Sequence, residues 1–208
     1  MKISYGITCC NEYIELQTLV KAILLFKNHT DEVVILQDLD NGSSDVTKFC
    51  LELAEQNKIK FIQASLNKDF ANFKNTLKDI CKGDFMFQID ADEVPHTQLI
   101  ANLPQIITLN PEIDMYKVPR INIVRDIAPA HLHQWRWTIN DKKHINWPDC
   151  QTRILRNHPK IKWVGKVHEV LSGFDKYATL PLEEEYCLYH VKEIKKQCHQ
   201  NDFYSKIL

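Results

Sequence analysis

The sequence predicts an α/β fold: a mainly parallel sheet with helices on both faces, followed by a half built from short strands. Three observations predict it. Four short apolar runs alternate with helically spaced segments through the first 95 residues, the alternation stops after residue 109, and acidic side chains cluster where the apolar runs end. Parallel neighbours need crossover connections, so this alternation implies parallel order. Ligands of such sheets gather at the carboxyl ends of the strands.

The first strand is expected over residues 2–9, and Asn11-Glu12 then opens a helix with Tyr13, Leu16, Leu19, Val20, Ile23 and Leu24 on its apolar stripe. Residues 33–36 form a second strand. A turn over 40–45 leads into a helix to about residue 56, capped by Ser44 or Asp45. A third strand spans 59–63, and a helix over 69–82 carries Phe70, Phe73, Leu77 and Ile80, with Gly83 as its stop. The fourth strand, 85–89, ends at Asp90, and a helix over 96–109 follows. Beyond it the segments 116–124, 134–139, 151–156, 161–164 and 186–191 read as short strands of mixed direction, and 192–207 as a closing helix. The chain is expected to be one domain, 1–208, with halves 1–95 and 96–208.

The 208 residues, 44% hydrophobic and 25% charged, suffice for one well-buried core. A formal charge of -1 gives no field that would gather nucleic acid, so phosphate recognition must be local. The most apolar stretch, 19–26, contains Lys21 and is far shorter than the roughly 20 residues of a membrane span, so no transmembrane segment is expected. Seven cysteines without framework spacing, and no long apolar leader, point to a reducing cytoplasm.

Asp90-Ala91-Asp92-Glu93 carries the strongest chemical signal. Side chains two apart in extended backbone point the same way, and a carboxylate pair suits Mn²⁺ or Mg²⁺ with diphosphate oxygens completing the shell. An acidic turn before a helix whose first turn holds Pro95 is the other reading. His131-Leu132-His133 has metal-ligand spacing on a strand and, with Cys150, suggests zinc, but no Cys-x-x-Cys pair accompanies it. Trp135, Trp137 and Trp147 could form an aromatic wall for sugar faces or belong to the core.

Several segments together resemble glycosyltransferase family 2, the inverting GT-A (Rossmann-like) fold with a mixed, mainly parallel sheet. They are Thr8-Cys9-Cys10-Asn11-Glu12, Asp40-Asn41-Gly42-Ser43-Ser44-Asp45, Asp69-Phe70-Ala71-Asn72-Phe73-Lys74-Asn75 and the acidic cluster. Lys74 stands where the family more often has Arg, keeping the charge without the planar fork. Thr152-Arg153-Ile154-Leu155-Arg156-Asn157 and Trp163-Val164-Gly165-Lys166-Val167-His168-Glu169 are similar to a bacterial subgroup that includes lipopolysaccharide-core transferases.

The resemblance implies a nucleoside-diphosphate sugar donor, UDP-linked, held by Thr8, Asn11, Glu12, Asp69, Lys74, Asp90 and Ala91, with Asp38 and Asp40 competing for the nucleoside. Asp92, Asp90 and His190 would hold Mn²⁺ or Mg²⁺. Glu169 would be the base that accepts the acceptor's proton, and His168 is either an orienting group or a packed histidine. Residues 126–149 lie between the two functions and are expected to recognise an acceptor of unknown class: glycan, lipid-linked sugar or protein. A nucleotidyltransferase would be expected to show a Gly-rich basic loop after the first strand, where this chain has Cys-Cys-Asn-Glu. A non-catalytic glycan- or partner-binding domain is the third class, and the intact Asp90, Asp92 and Glu169 count against it.

Overall fold

The computed structural model describes residues 1–205. Strands β1 (Ile3–Cys9), β2 (Glu32–Asp38), β3 (Lys60–Ala64) and β4 (Phe85–Asp90) alternate with helices α1 (Tyr13–Phe26), α2 (Ser44–Glu55) and α3 (Phe70–Ile80). These four strands are mutually parallel, as expected. After β5 (Glu93–Pro95) and α4 (Thr97–Leu109) come β6 (Met115–Arg125), α5 (Pro129–Trp135), β7 (Ile145–Arg156), β8 (Lys162–Val164), β9 (Val170–Ser172), β10 (Tyr177–Thr179), β11 (Leu188–Glu193) and α6 (Ile194–Ser205). Among the described residues the main sheet has nine strands in the order β3-β2-β1-β4-β7-β6-β11-β5, with β10 joined to β6. β7 runs antiparallel to both β4 and β6, so the second half extends the same sheet.

Alternation along the strands divides the core. Ile3, Tyr5, Ile7, Val33 and Ile35 face α1, α2 and α4, while Val34, Leu36 and Met86 face α3 through Phe73 and Leu77. Both faces of β2 are therefore buried, which explains its unbroken apolar run.

Several sequence expectations are corrected. Residues 134–139 do not form a strand: α5 ends at Trp135, and Arg136 adopts a left-handed conformation (φ 55) that turns the chain back. Pro129 at the start of α5 sets the helical φ that outweighs the β-prone tryptophans. Pro95 lies in β5 rather than in the first turn of α4, which His96 caps. β7 begins at Ile145 rather than 151, and β11 takes residues 192 and 193 from the expected closing helix. Residues 206–207 of that helix lie outside the described residues. Ser43, not Ser44 or Asp45, caps α2 by accepting from the Val46 N–H at 3.4 Å. Gly83 is not a helix stop. A Cβ there would lie 2.6 Å from the Ser4 nitrogen, so the glycine permits close approach to β1.

Asp69 caps α3, its carboxylate accepting from the Asn72 N–H at 2.9 Å. Asp69→Ala is expected to lower unfolding stability by about 1 kcal/mol, read as a lower urea midpoint at unchanged slope.

Candidate active site

Parallel order puts the carboxyl ends of β1, β2 and β4 on one edge of the sheet, where they meet β6, β7 and the β8–β9 hairpin around a cavity of about 950 Å³. Thr8, Glu12, Asp38 and Lys74 line it, as do Asp90, Ala91 and Asp92. His168, Glu169 and His190 complete the expected residues on its wall. Asn11 and Asp40 are exposed and off the wall, and Asp69 serves as the α3 cap. Of Asp38 and Asp40, Asp38 lines the cavity. It is buried, and its carboxylate accepts from Asn41 Nδ2 at 2.8 Å and from the Leu66 N–H at 3.2 Å.

β4 ends at Asp90 and the chain turns, so Asp90 and Asp92 do not share one environment. Asp90 accepts from Arg153 at 2.6 Å, from Gln88 Nε2 at 2.9 Å and from Thr8 Oγ1 at 3.0 Å. Burial pushes its carboxyl up, but Arg153, Lys74 and these donors outweigh burial and hold it well below the usual carboxylate range. Both oxygens are engaged, which leaves Asp90 poorly placed to share a cation with Asp92. Arg153 also meets Glu93, which is fully buried, at 2.6 Å, and Arg120 joins Glu93 to Asp149 at 2.9 and 2.8 Å. Composition and strand spacing gave no sign of this ionic layer. The Thr-Arg-x-x-Arg-Asn segment containing Arg153 was its signal.

Asp92 faces β11, where His190 and Lys192, two residues apart, share one side of the strand. His190 Nε2 and Lys192 Nζ lie 3.4 and 3.2 Å from the same Asp92 oxygen. Burial raises the Asp92 carboxyl, and its hydrogen bond to His190 together with the His190 and Lys192 charges brings it below the usual range. Asn122 gives its amide N–H to Asp149 at 2.7 Å and so presents its carbonyl to His190 Nδ1, also at 2.7 Å. With Nδ1 held by that carbonyl, Nε2 is the ring nitrogen turned toward Asp92, and it is the one that would ligate a metal once its proton is given up. One carboxylate and one imidazole fit a divalent cation that takes its other ligands from phosphate and water. No group of three or more His, Cys, Asp or Glu residues able to hold a metal converges among the described residues.

Glu169 reaches the cavity from the β8–β9 turn, which Gly165 (φ 92) and His168 (φ 56) bend through left-handed backbone. His168 is therefore a loop residue, not one packed in a strand. Lys74 Nζ contacts Glu169 Oε1 at 2.5 Å and lies 4.7 Å from the centre of the Trp163 ring. Asn75 fastens the hairpin to α3 by donating to the Trp163 carbonyl and accepting its N–H, both at 2.9 Å.

The aromatic wall is partly formed. Trp135 and Trp137 pack at 4.8 Å across the α5 terminus, and Trp137 lines the main cavity while Trp147 lines a second depression. His131 and His133 lie on a helix, where residues two apart diverge, so their spacing does not make a zinc site. The seven cysteines are free, and burial pushes the Cys10 thiol up to about 11 and Cys50 up to about 12, so neither is an activated nucleophile.

Strand ends, acids and a carboxylate-bearing hairpin of one α/β domain thus converge on a single cavity. The model of the family described as glycosyl transferase family 2 matches residues 4–161, and the chain belongs to that family as a glycosyltransferase domain. No curated protein matches it in sequence. Among solved structures it is similar to S. aureus TarS 1–349, at 12% identity and TM-score 0.57, over 92% of this chain and 60% of that one. The TarS 1–349 complexes with UDP and with UDP-GlcNAc match at TM-scores 0.59 and 0.57, each at 12% identity and over 92% of this chain. The chain thus spans about 60% of the TarS 1–349 length, and at this identity the likeness establishes the GT-A fold.

Proposed function

We propose that the chain transfers a sugar from a UDP-linked donor to an acceptor hydroxyl by direct displacement with inversion. The observation that carries this reading is the convergence, on one cavity, of Asp38, Asp90, Asp92 and Lys74 with Glu169. In this reading Asp38 and the β1 turn hold the nucleoside, and Lys74 and Asp92 border the diphosphate. Glu169 takes the proton as the acceptor oxygen attacks the anomeric carbon and the bond to the nucleoside diphosphate breaks. Asp92 and His190 would hold Mn²⁺ or Mg²⁺, which supplies counter-charge to the departing diphosphate. The TarS complexes with UDP and UDP-GlcNAc support this donor class. The acceptor, a glycan, lipid-linked sugar or protein, would enter beside Trp137, Asn146 and Asp149, on the wall that residues 126–149 help to build. No helix among the described residues is long and apolar enough to cross a membrane. The free cysteines support a reducing, cytoplasmic setting for the reaction.

The first turn disfavours nucleotidyl transfer. Glu12 accepts the N–H groups of Cys10 and Asn11 at 2.8 and 3.1 Å, so backbone donors that a phosphate loop would offer are already used by a carboxylate.

The proposal is tested by thermal unfolding with UDP, GDP, CDP or dTDP, each with and without Mn²⁺. One diphosphate, at about a hundred times its dissociation constant, is expected to raise the midpoint by about 5 °C or more. The shift grows with Mn²⁺, and that increment disappears in Asp92→Asn. No response to any of the four overturns the reading.

A further inference from the structure

Among the described residues, three cationic side chains other than histidine line the cavity, and they differ in what they are tied to. Arg120 is locked between Glu93 and Asp149, both partly or wholly enclosed. Lys74 is paired with Glu169. Lys192 lies on the Asp92 oxygen that also faces His190, at the place where a divalent cation would have to sit. Its side chain is only 6% exposed, yet it forms part of the cavity wall.

A diphosphate entering beside Asp90 and Asp92 brings at least two negative charges to two existing carboxylates. Without a cation in contact with the phosphates, like-charge repulsion in this enclosed setting would oppose binding. We propose that Lys192 is a diphosphate-binding residue whose ammonium group turns from Asp92 to the leaving phosphates, giving donor binding a component that needs no metal. This rests on the donor reading above and adds to it a residue from the second half of the chain. An ammonium suits such a role because it is a compact charge with rotatable donors on a flexible stem, able to exchange one oxygen partner for another. His190, fixed by Asn122, cannot follow it.

The experiment is calorimetric titration of the whole chain with UDP, in EDTA and in Mn²⁺, for wild type, Lys192→Met and Lys192→Arg. Wild type is expected to bind in EDTA within about tenfold of its affinity in Mn²⁺, because one charge-assisted contact is worth about that factor. Lys192→Met should weaken binding about tenfold or more in EDTA and clearly less in Mn²⁺. Lys192→Arg should stay within about threefold of wild type in EDTA, and it keeps the proposal falsifiable if the methionine variant does not fold. Wild-type binding that vanishes in EDTA while persisting in Mn²⁺ overturns the proposal and leaves the donor reading standing. So does Lys192→Met binding equal to wild type in EDTA, or an affinity loss that arginine shares. If UDP binds in neither buffer, the UDP reading and this inference fall together.

Discussion

Arg153→Met is expected to reduce unfolding free energy by about 3 kcal/mol, because it leaves the fully buried Glu93 with Arg120 as its remaining guanidinium partner and removes the main counter-charge of Asp90. The guanidinium also donates to Gln88 at 2.7 Å, so the side chain ties β7 to β4 at the strand ends that border the cavity. A urea titration would show the loss as a lower midpoint, and the variant should lose diphosphate response along with it. Arg153→Lys is expected to recover only part, since a compact ammonium lacks the planar fork whose two nitrogens reach Gln88, Asp90 and Glu93. The pH dependence has a definite sign. Asp90 is held below the usual carboxylate range in the fold, so its contribution is complete above about pH 4 and is lost as pH falls toward the folded value. Wild type should therefore lose stability in that acid range, and Arg153→Met should show a shallower acid dependence. An Arg153→Met midpoint within experimental error of wild type would contradict the role assigned to this ionic layer.

Glu169→Gln is expected to lower turnover by roughly a hundredfold or more while leaving donor binding nearly unchanged. The amide keeps the shape and can still accept from Lys74, so the turn that carries it should hold its place. Single-turnover rates paired with donor titration separate the outcomes. A matching loss in donor affinity would reassign Glu169 from proton acceptor to donor clamp, with Lys74 as its link to the phosphates.

Much of the fold was legible because the first half repeats one physical pattern. Buried strands such as β2 show continuous apolar runs, the helices between them show single apolar stripes, and strand ends carry the acids. The second half was harder for reasons tied to particular residues. β7 is only partly buried along 146–152 and contains Pro148, so no run of apolar residues announced its first six positions. β5 has three residues and exists through its pairing with β11, a contact between positions almost a hundred apart. The tryptophans at 135 and 137 suggested extended backbone, but Pro129 and the Arg136 turn decided the local conformation.

The site shows the same division. Asp38, Asp90, Asp92, Lys74, Glu169 and His190 could be named because each sits in a recognisable local segment. Lys192 could not, since its proposed role depends on β11 lying beside Asp92, and in sequence it looked like the first residue of the closing helix. Asp40 and Asn11 had the right neighbours in sequence but lie off the cavity wall once the turns are formed.

The path of β6 and β7 carries a practical consequence. The two strands pair along most of their length and leave residues 126–144, with α5 and its stacked rings, as one excursion from a single hairpin. Arg120, Arg153 and the strand ends stay anchored in the sheet below it. The excursion could therefore be exchanged as a cassette: its ends are fixed by ladder bonds, so a substituted loop would keep the strand-end side of the cavity and replace the part of its wall that Trp137 supplies.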